Sequence, residues 1–272
     1  MSGLEALAKM EYPGRVIIIG KSPENYDVVL YAVTGRSTSS QERRITRDEI
    51  MQRFDVQPFK EAKITNEQRE LLEYPAIMVK NHRLGIVVSN GKQTNNLIKR
   101  KHHGYFSQKR AIEVLDSALI NWNYEPDEPN YTPRISGCIL PSGAALSIIK
   151  KSLNMKSERQ YFEVPLVNGK GKMIATYTGQ NVNPLPSFQG EPINVDIPWF
   201  TAHQAVEAMY EALGPKEGKQ DFRVSVAGVY LRRGDFYDVN AHVKNRPEIR
   251  RKWNWQKEQI SHNLNEHTEK KI

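Results

Sequence analysis

The stretch Arg15-Val16-Ile17-Ile18-Ile19-Gly20-Lys21-Ser22-Pro23-Glu24-Asn25-Tyr26-Asp27-Val28-Val29-Leu30-Tyr31-Ala32-Val33 decides the fold class. Two short runs of β-branched and aliphatic residues flank a polar Ser-Pro-Glu-Asn turn. Continuous apolar runs of this length, ended by Gly and turn residues, read as buried strands rather than helices. They predict a hairpin, Arg15–Gly20 against Val28–Val33.

Further strands are expected at Ala76–Val79, Leu84–Val88, Ile135–Leu140 and Phe222–Leu231. Phe162–Val167 and Lys172–Tyr177 flank Asn168-Gly169, a strong short-range signal for a second hairpin. Thr65 with Gln68 and Thr201 with Gln204 have capping-box spacing and open two helices. Ala202, Val206, Met209 and Leu213 line one face of the second, which Gly214-Pro215 should stop. Ser107 is the expected cap of another helix, with Ile112, Leu115 and Leu119 on its apolar face. Strands come in consecutive pairs between helices, not in βαβ alternation, which favours antiparallel sheets with helices outside, an α+β architecture. A single domain over residues 1–272 is expected. It has a leading segment, 1–11, and a basic extension from about 247, helical and frayed.

The 272 residues, 39% hydrophobic and 26% charged, suit a globular chain and exclude wholesale disorder. Cys138 is the single cysteine, which rules out an intramolecular disulfide framework and any Cys-rich zinc site. No apolar run approaches the ~20 residues that span a bilayer. The first residues lack the basic-then-apolar order of a secretory signal, so the cytoplasm is the expected compartment. Of the +8 net charge, half sits between Lys244 and Ile272, where eight Lys or Arg face four Glu. A second basic stretch runs over Lys99-Arg100-Lys101-His102-His103. Such charge fits nucleic acid, or a phosphorylated metabolite plus a solvated tail, and the second reading needs less. Trp253 and Trp255 could stack on bases, but would equally dock the tail on its own core or on another subunit.

Three polar segments beside strands are candidate sites. Gly35-Arg36-Ser37-Thr38-Ser39-Ser40-Gln41-Glu42-Arg43-Arg44 puts four hydroxyls among arginines, which suits a phosphate and also an ordinary solvated loop. Ser89-Asn90-Gly91-Lys92-Gln93-Thr94 is by itself a turn more often than a binding loop. Tyr124-Glu125-Pro126-Asp127-Glu128-Pro129-Asn130-Tyr131-Thr132-Pro133-Arg134 holds carboxylates and an arginine on a backbone stiffened by three prolines, the preorganisation an active site needs. His102-His103 lie among lysines and read as a solvated loop, and no metal-ligand cluster of recognisable spacing is evident. Cys138 reads as a small buried apolar side chain. Ser2 is rejected as a nucleophile because the first strand starts well after it.

Together, Tyr12-Pro13-Gly14-Arg15, the Gly35-Arg36-Ser37 loop with Gln41-Glu42-Arg43-Arg44, the Ser89–Thr94 turn and Tyr124-Glu125-Pro126-Asp127 with Thr132-Pro133-Arg134-Ile135 occur in the order seen in archaeal-type IMP cyclohydrolases. The chain resembles that family from about Tyr12 to Ile139 and more diffusely to about Leu231. The resemblance implies closure of 5-formamidoimidazole-4-carboxamide ribonucleotide to inosine monophosphate with loss of water. It implies a four-layer αββα fold like that of N-terminal-nucleophile hydrolases, without their self-processing. Arg36, Tyr74 and Glu125 become the expected catalytic residues. Ser37, Arg43, Arg44, Asn90, Thr94, Asp127 and Arg134 are then expected to hold the nucleotide or neighbouring side chains. The loop after Arg36 is shorter than the family's, so Arg43 or Arg44 is left to replace an arginine that the family places inside it. No cofactor or metal is expected. The expected partners are a purine nucleotide and further copies of the chain, with no membrane and no nucleic acid. The alternative is a nucleotide- or RNA-binding protein on the same scaffold without the activity; an amide hydrolase lacks an evident nucleophile at a strand's start.

Overall fold

The computed structural model describes residues 3–59, 65–80, 85–99, 110–233 and 238–247. The opening hairpin is present. β1 (Arg15–Lys21) and β2 (Asp27–Thr34) pair antiparallel, with Ile17 opposite Tyr31 and Ile19 opposite Val29. Both strands are buried along almost their whole length. A strand covered on both faces has no polar side to alternate, hence the unbroken apolar runs.

The hairpin lies at the middle of a six-stranded antiparallel sheet. Beyond β1 come β10 (Lys170–Ala175) and β11 (Ile193–Asp196); beyond β2 come β12 (Arg223–Arg232) and β13 (Asp238–Asn245). The second sheet has seven strands in chain order: β3 (Arg43–Asp48), β4 (Arg53–Pro58), β5 (Tyr74–Lys80), β6 (Gly85–Ser89), β7 (Arg134–Leu140), β8 (Gly143–Lys151) and β9 (Ser157–Val164). All its neighbours are antiparallel.

The expected hairpin around Asn168-Gly169 does not form. β9 pairs with β8 in one sheet, while β10 pairs with β1 in the other. The turn chemistry is sound, since Gly169 takes φ +73°. It serves instead to carry the chain between sheets, with the Gly169 N–H donating to Lys21 O at 3.0 Å. A turn dipeptide sets only local direction; the partner of each strand is whichever sheet edge stands open to it.

The sheets stack face to face. Ile17 and Ile19, Phe54 and Val56, Ile77, Ile135 and Ile139 share one core. A Cβ on Gly137 would lie 2.4 Å from Ile19 Cδ1, so at that point the sheets approach through a missing side chain. Six helices are described: α1 (Glu5–Lys9), α2 (Thr38–Gln41), α3 (Asn66–Leu72), α4 (Thr94–Lys99), α5 (Ala111–Leu119) and α6 (Ala202–Ala212). α6 covers β12, β13 and β2 on the outer face of its sheet, and α5 covers β7, β8 and β9 on the outer face of the other. The expected cap of α6 is made: Thr201 Oγ1 accepts from Gln204 N at 3.2 Å, and Gln204 Oε1 accepts from Phe200 N at 3.0 Å. On α5 the buried face is Ala111, Val114, Leu115, Ala118 and Leu119, with Ile112 only partly covered. The leading segment contributes Leu4 and Leu7, both fully buried, to the main core. Ser107, the His102-His103 pair and the tail with Trp253 and Trp255 lie outside the described residues. Among the described residues no helix is long and apolar enough to cross a membrane.

Candidate active site

The inter-sheet space changes character at the end where β1, β5 and β7 begin. Arg15, the first residue of β1, precedes Ile17 on the same face of the strand. Its Nη2 donates to Glu125 Oε1 at 2.8 Å, and Arg134 Nη1 stands 3.6 Å from the same oxygen. Glu125 is 4% exposed. Burial pushes its carboxyl above the ordinary carboxylate range, against the opposing pull of Arg15 and Arg134. Burial works against the Arg15 charge, but Glu125 and the nearby tyrosines outweigh it and raise its pKa. Arg134 is shifted the other way by burial, with Glu125 opposing. The Nε of Arg15 is buried with no hydrogen-bond partner among the described residues.

Two tyrosines, one from each sheet, meet beside this cluster. Tyr74 at the start of β5 and Tyr31 on β2 share a hydrogen bond of 2.8 Å, and both are buried. Burial and the Tyr74 neighbour hold the Tyr31 hydroxyl well above its usual pKa, so it stays protonated.

The Tyr124–Arg134 loop is shaped by its own polar groups. Glu125 N donates to Thr132 O at 2.9 Å, which closes the loop. Both oxygens of Asp127 accept from Thr132, from N at 2.7 Å and from Oγ1 at 2.5 Å. Thr132 Oγ1 also meets the Tyr177 hydroxyl at 2.6 Å. Asp127 thus braces the segment that presents Glu125.

Asn90, fully buried, does similar work. Its Nδ2 donates to Pro133 O at 2.8 Å, and its Oδ1 accepts from Ile135 N at 2.8 Å and Gln93 Nε2 at 3.1 Å. Gln93 Oε1 then accepts from Arg134 Nη1 at 3.1 Å. Gly91 is needed here, since a Cβ would lie 2.6 Å from both Arg134 Nη1 and Gln93 Oε1. Thr94 Oγ1 bonds Ser89 Oγ and donates to Gly91 O, which ties the turn to α4. Arg134 also donates from Nε to Asn123 O at 2.8 Å and lies 5.0 Å from the centre of the Trp122 ring.

Arg36 stands apart from Glu125, at the rim. It is half-buried, donates to Val182 O at 3.0 Å, and lies 5.4 Å from the centre of the Tyr12 ring. Tyr12 packs on Tyr177 and links this rim to the Thr132–Asp127 bracket. Ser37 caps α2, accepting from Ser40 N at 3.2 Å. The two arginines opening β3 diverge, as neighbours on a strand must. Arg43 is buried, donates to Ser40 O at 2.8 Å, and its charge is felt at the Tyr31 hydroxyl. Arg44 turns the other way, onto the Phe59 ring at 5.7 Å.

A family model described as IMP cyclohydrolase-like protein matches residues 12–235 of this chain. The chain belongs to the IMP cyclohydrolase-like family. A protein named IMP cyclohydrolase, from Methanococcus maripaludis (strain C6 / ATCC BAA-1332), is 25% identical over 174 residues, 63% of this chain and 77% of the relative. The matched span of the IMP cyclohydrolase-like family contains every residue of the polar cluster and stops short of the basic tail.

Sequence reading placed Glu125, Arg134, Tyr74 and Asn90 in this family's site, and the structure brings them together. It missed Arg15, Tyr31, Gln93 and Tyr177. Arg15 was given no role although it carried two signals, its place in the Tyr12-Pro13-Gly14-Arg15 motif and a charge at the mouth of an otherwise apolar strand. Lys150, 3% exposed on β8 and one residue past the register partner of Arg134, was also passed over. Its Nζ donates to Gln189 Oε1 at 2.9 Å.

Proposed function

We propose that this protein closes 5-formamidoimidazole-4-carboxamide ribonucleotide to inosine monophosphate, releasing water, as a soluble cytoplasmic enzyme. The observation that carries the reading is the buried Glu125 carboxylate shared by Arg15 and Arg134 beside the Tyr31–Tyr74 pair, within the span that matches the family. Buried charge of this kind adds little to stability and is retained where chemistry uses it.

The nucleophile and electrophile lie on one molecule, so the first task is to hold the carboxamide and formyl groups in contact. The carboxamide nitrogen gives up one N–H proton as it bonds to the formyl carbon, and the formyl oxygen takes up a proton. That oxygen leaves as water, with a second proton taken up, as the formamido nitrogen gives up its own proton and the ring C=N bond forms. Glu125, its proton affinity raised by burial, accepts the amide proton and can return it to the departing hydroxyl. Either hydroxyl can donate in the Tyr31–Tyr74 pair; in the arrangement where Tyr31 donates, the Tyr74 proton is free for the developing formyl oxyanion. The unpartnered Arg15 Nε supplies a further donor at the same place. Arg36 and the Ser37–Ser40 hydroxyls, at the rim, suit the 5′-phosphate; Arg43, whose Nε donates to Ser40 O, is the arginine we assign to assist them. Asn90, Thr94 and Asp127 act through the side chains they brace.

The same reading takes the two stacked sheets with outer helices as the αββα architecture of N-terminal-nucleophile hydrolases without self-processing. What supports this is the antiparallel pairing of the named strands in both sheets, which stack face to face between outer helices. The test is incubation of the pure protein with the formamido nucleotide, following the ultraviolet change on inosine monophosphate formation. Turnover lost in Glu125→Gln and weakened in Arg36→Ala is expected. Folded variants that both cyclise at the wild-type rate would overturn the proposal.

A further inference from the structure

The polar cluster is not the only group of ligating side chains in the molecule. On the opposite, outer face of the six-stranded sheet, His203 and Glu207 of α6 meet His242 of β13. One donor atom from each lies within 4.8 Å of the others. The spacing follows from the elements: residues i and i+4 share a helix face, and His242 alternates with Asn240 and Lys244 on the strand face that α6 covers. Asn240 Oδ1 accepts from Ala202 N at 2.8 Å, which fixes the helix start over this strand. The His203 and His242 rings are 4.5 Å apart, edge to face, and His242 Nε2 is 3.9 Å from Glu207 Oε1.

We propose that His203, Glu207 and His242 form a binding site for a divalent transition ion, zinc by preference, that clasps α6 to the edge strand β13. Two imidazoles and one carboxylate are a donor set zinc accepts, with a fourth position left to water. Tetrahedral ligands stand about 3.4 Å apart, so side-chain rotation alone closes the present spacing. The three side chains are exposed or half-buried, which leaves an entry path.

Lys244 opposes the ion. Its Nζ bonds Glu207 Oε2, and a cation there must displace it. It has somewhere to go: Glu211 Oε1, one helical turn on, is 3.6 Å from the same ammonium. Metal entry therefore moves Lys244 from Glu207 to Glu211 without leaving it unpaired. This site is independent of the reaction proposed above, because it lies on the other side of the sheet from Glu125.

The experiment is zinc titration of the full chain, freed of any affinity tag, with bound metal counted after buffer exchange. His82, His102, His103, His262 and His267 can add weaker binding, so the decisive quantity is the difference from variants. The wild type should retain one equivalent more than His203→Asn and than His242→Asn. Cobalt should give the visible bands of a low-symmetry site in the wild type and not in either variant. Lys244→Met should bind zinc several-fold more tightly. His203 is exposed, so its variant keeps the fold even if His242→Asn does not. Equal zinc retention in wild type and His203→Asn overturns the proposal, as does a wild type that retains none. An unchanged titration in Lys244→Met removes Glu207 from the donor set, and with it the three-ligand site.

Discussion

The space between the two sheets is filled in two ways. Around Ile17, Ile19, Phe54 and Ile77 it holds only apolar side chains, all fully buried. One turn of the pleat away, the same face of β1 offers Arg15, and the filling becomes Glu125, Tyr31 and Tyr74, with Arg134 reaching Glu125 from the start of β7, which Asn90 braces. The apolar half gains roughly 1.5–3 kcal/mol per large side chain removed from water and tolerates small changes of shape. The polar half gains little from burial, and each group in it depends on a named partner. One half holds the sheets together; the other spends that stability on positioned charge.

The largest test of this contrast is Glu125→Gln. The isostere keeps the packing but removes the ionisable group, and initial rates of cyclisation should fall about 10²–10⁴-fold. Phe54→Ala should do the reverse. It is expected to lower unfolding free energy by about 3–5 kcal/mol in urea titrations and leave turnover per folded molecule unchanged. A variant that lost both would show that the two halves are not separable.

The next effect is on pH. Glu125 must be ionised to act as base, and burial raises its pKa, so the acid limb of kcat/KM should lie above the ordinary glutamate value of about 4.3. Arg15 opposes that rise, so Arg15→Met should move the limb to higher pH. The linkage has a definite sign. A carboxyl whose folded pKa exceeds its unfolded one contributes stability fully below the unfolded value and loses it as pH rises through the folded one. The wild type should therefore lose stability relative to Glu125→Gln across that interval. The smallest effect is Ile17→Val, about 0.5–1.5 kcal/mol by thermal unfolding with the pH profile unmoved.

Legibility in the sequence followed the same division. Arg15–Gly20, Val28–Val33 and Ile135–Leu140 were readable because strands buried on both faces must be apolar throughout. β3 and β4 were not, although Arg53-Phe54-Asp55-Val56 alternates plainly, because half their residues are charged and neither offers a continuous apolar run. β13 was missed as well: Asp238–Asn245 lies just before the charged tail and offers no continuous apolar run. In the site, residues on a stiff loop stood out, and those inside strands did not: Tyr31 reads as strand filling until Tyr74 from the other sheet is placed beside it. His203 and Glu207 had the spacing of a ligand pair, but His242 joins them only through strand pairing.

The crossing at Asn168-Gly169 has a consequence for the order of folding. The seven-stranded sheet is one continuous stretch of chain, each strand pairing with its sequence neighbour. The six-stranded sheet is split around it, since β12 must return nearly two hundred residues to lie against β2. Local pairings form fast and distant ones slowly. During synthesis the seven-stranded sheet can therefore be complete while β2 still waits, one long edge open, for a partner not yet made. The apolar hairpin from which the fold is first read is then the last part of the molecule to be covered, and the part most in need of protection until it is.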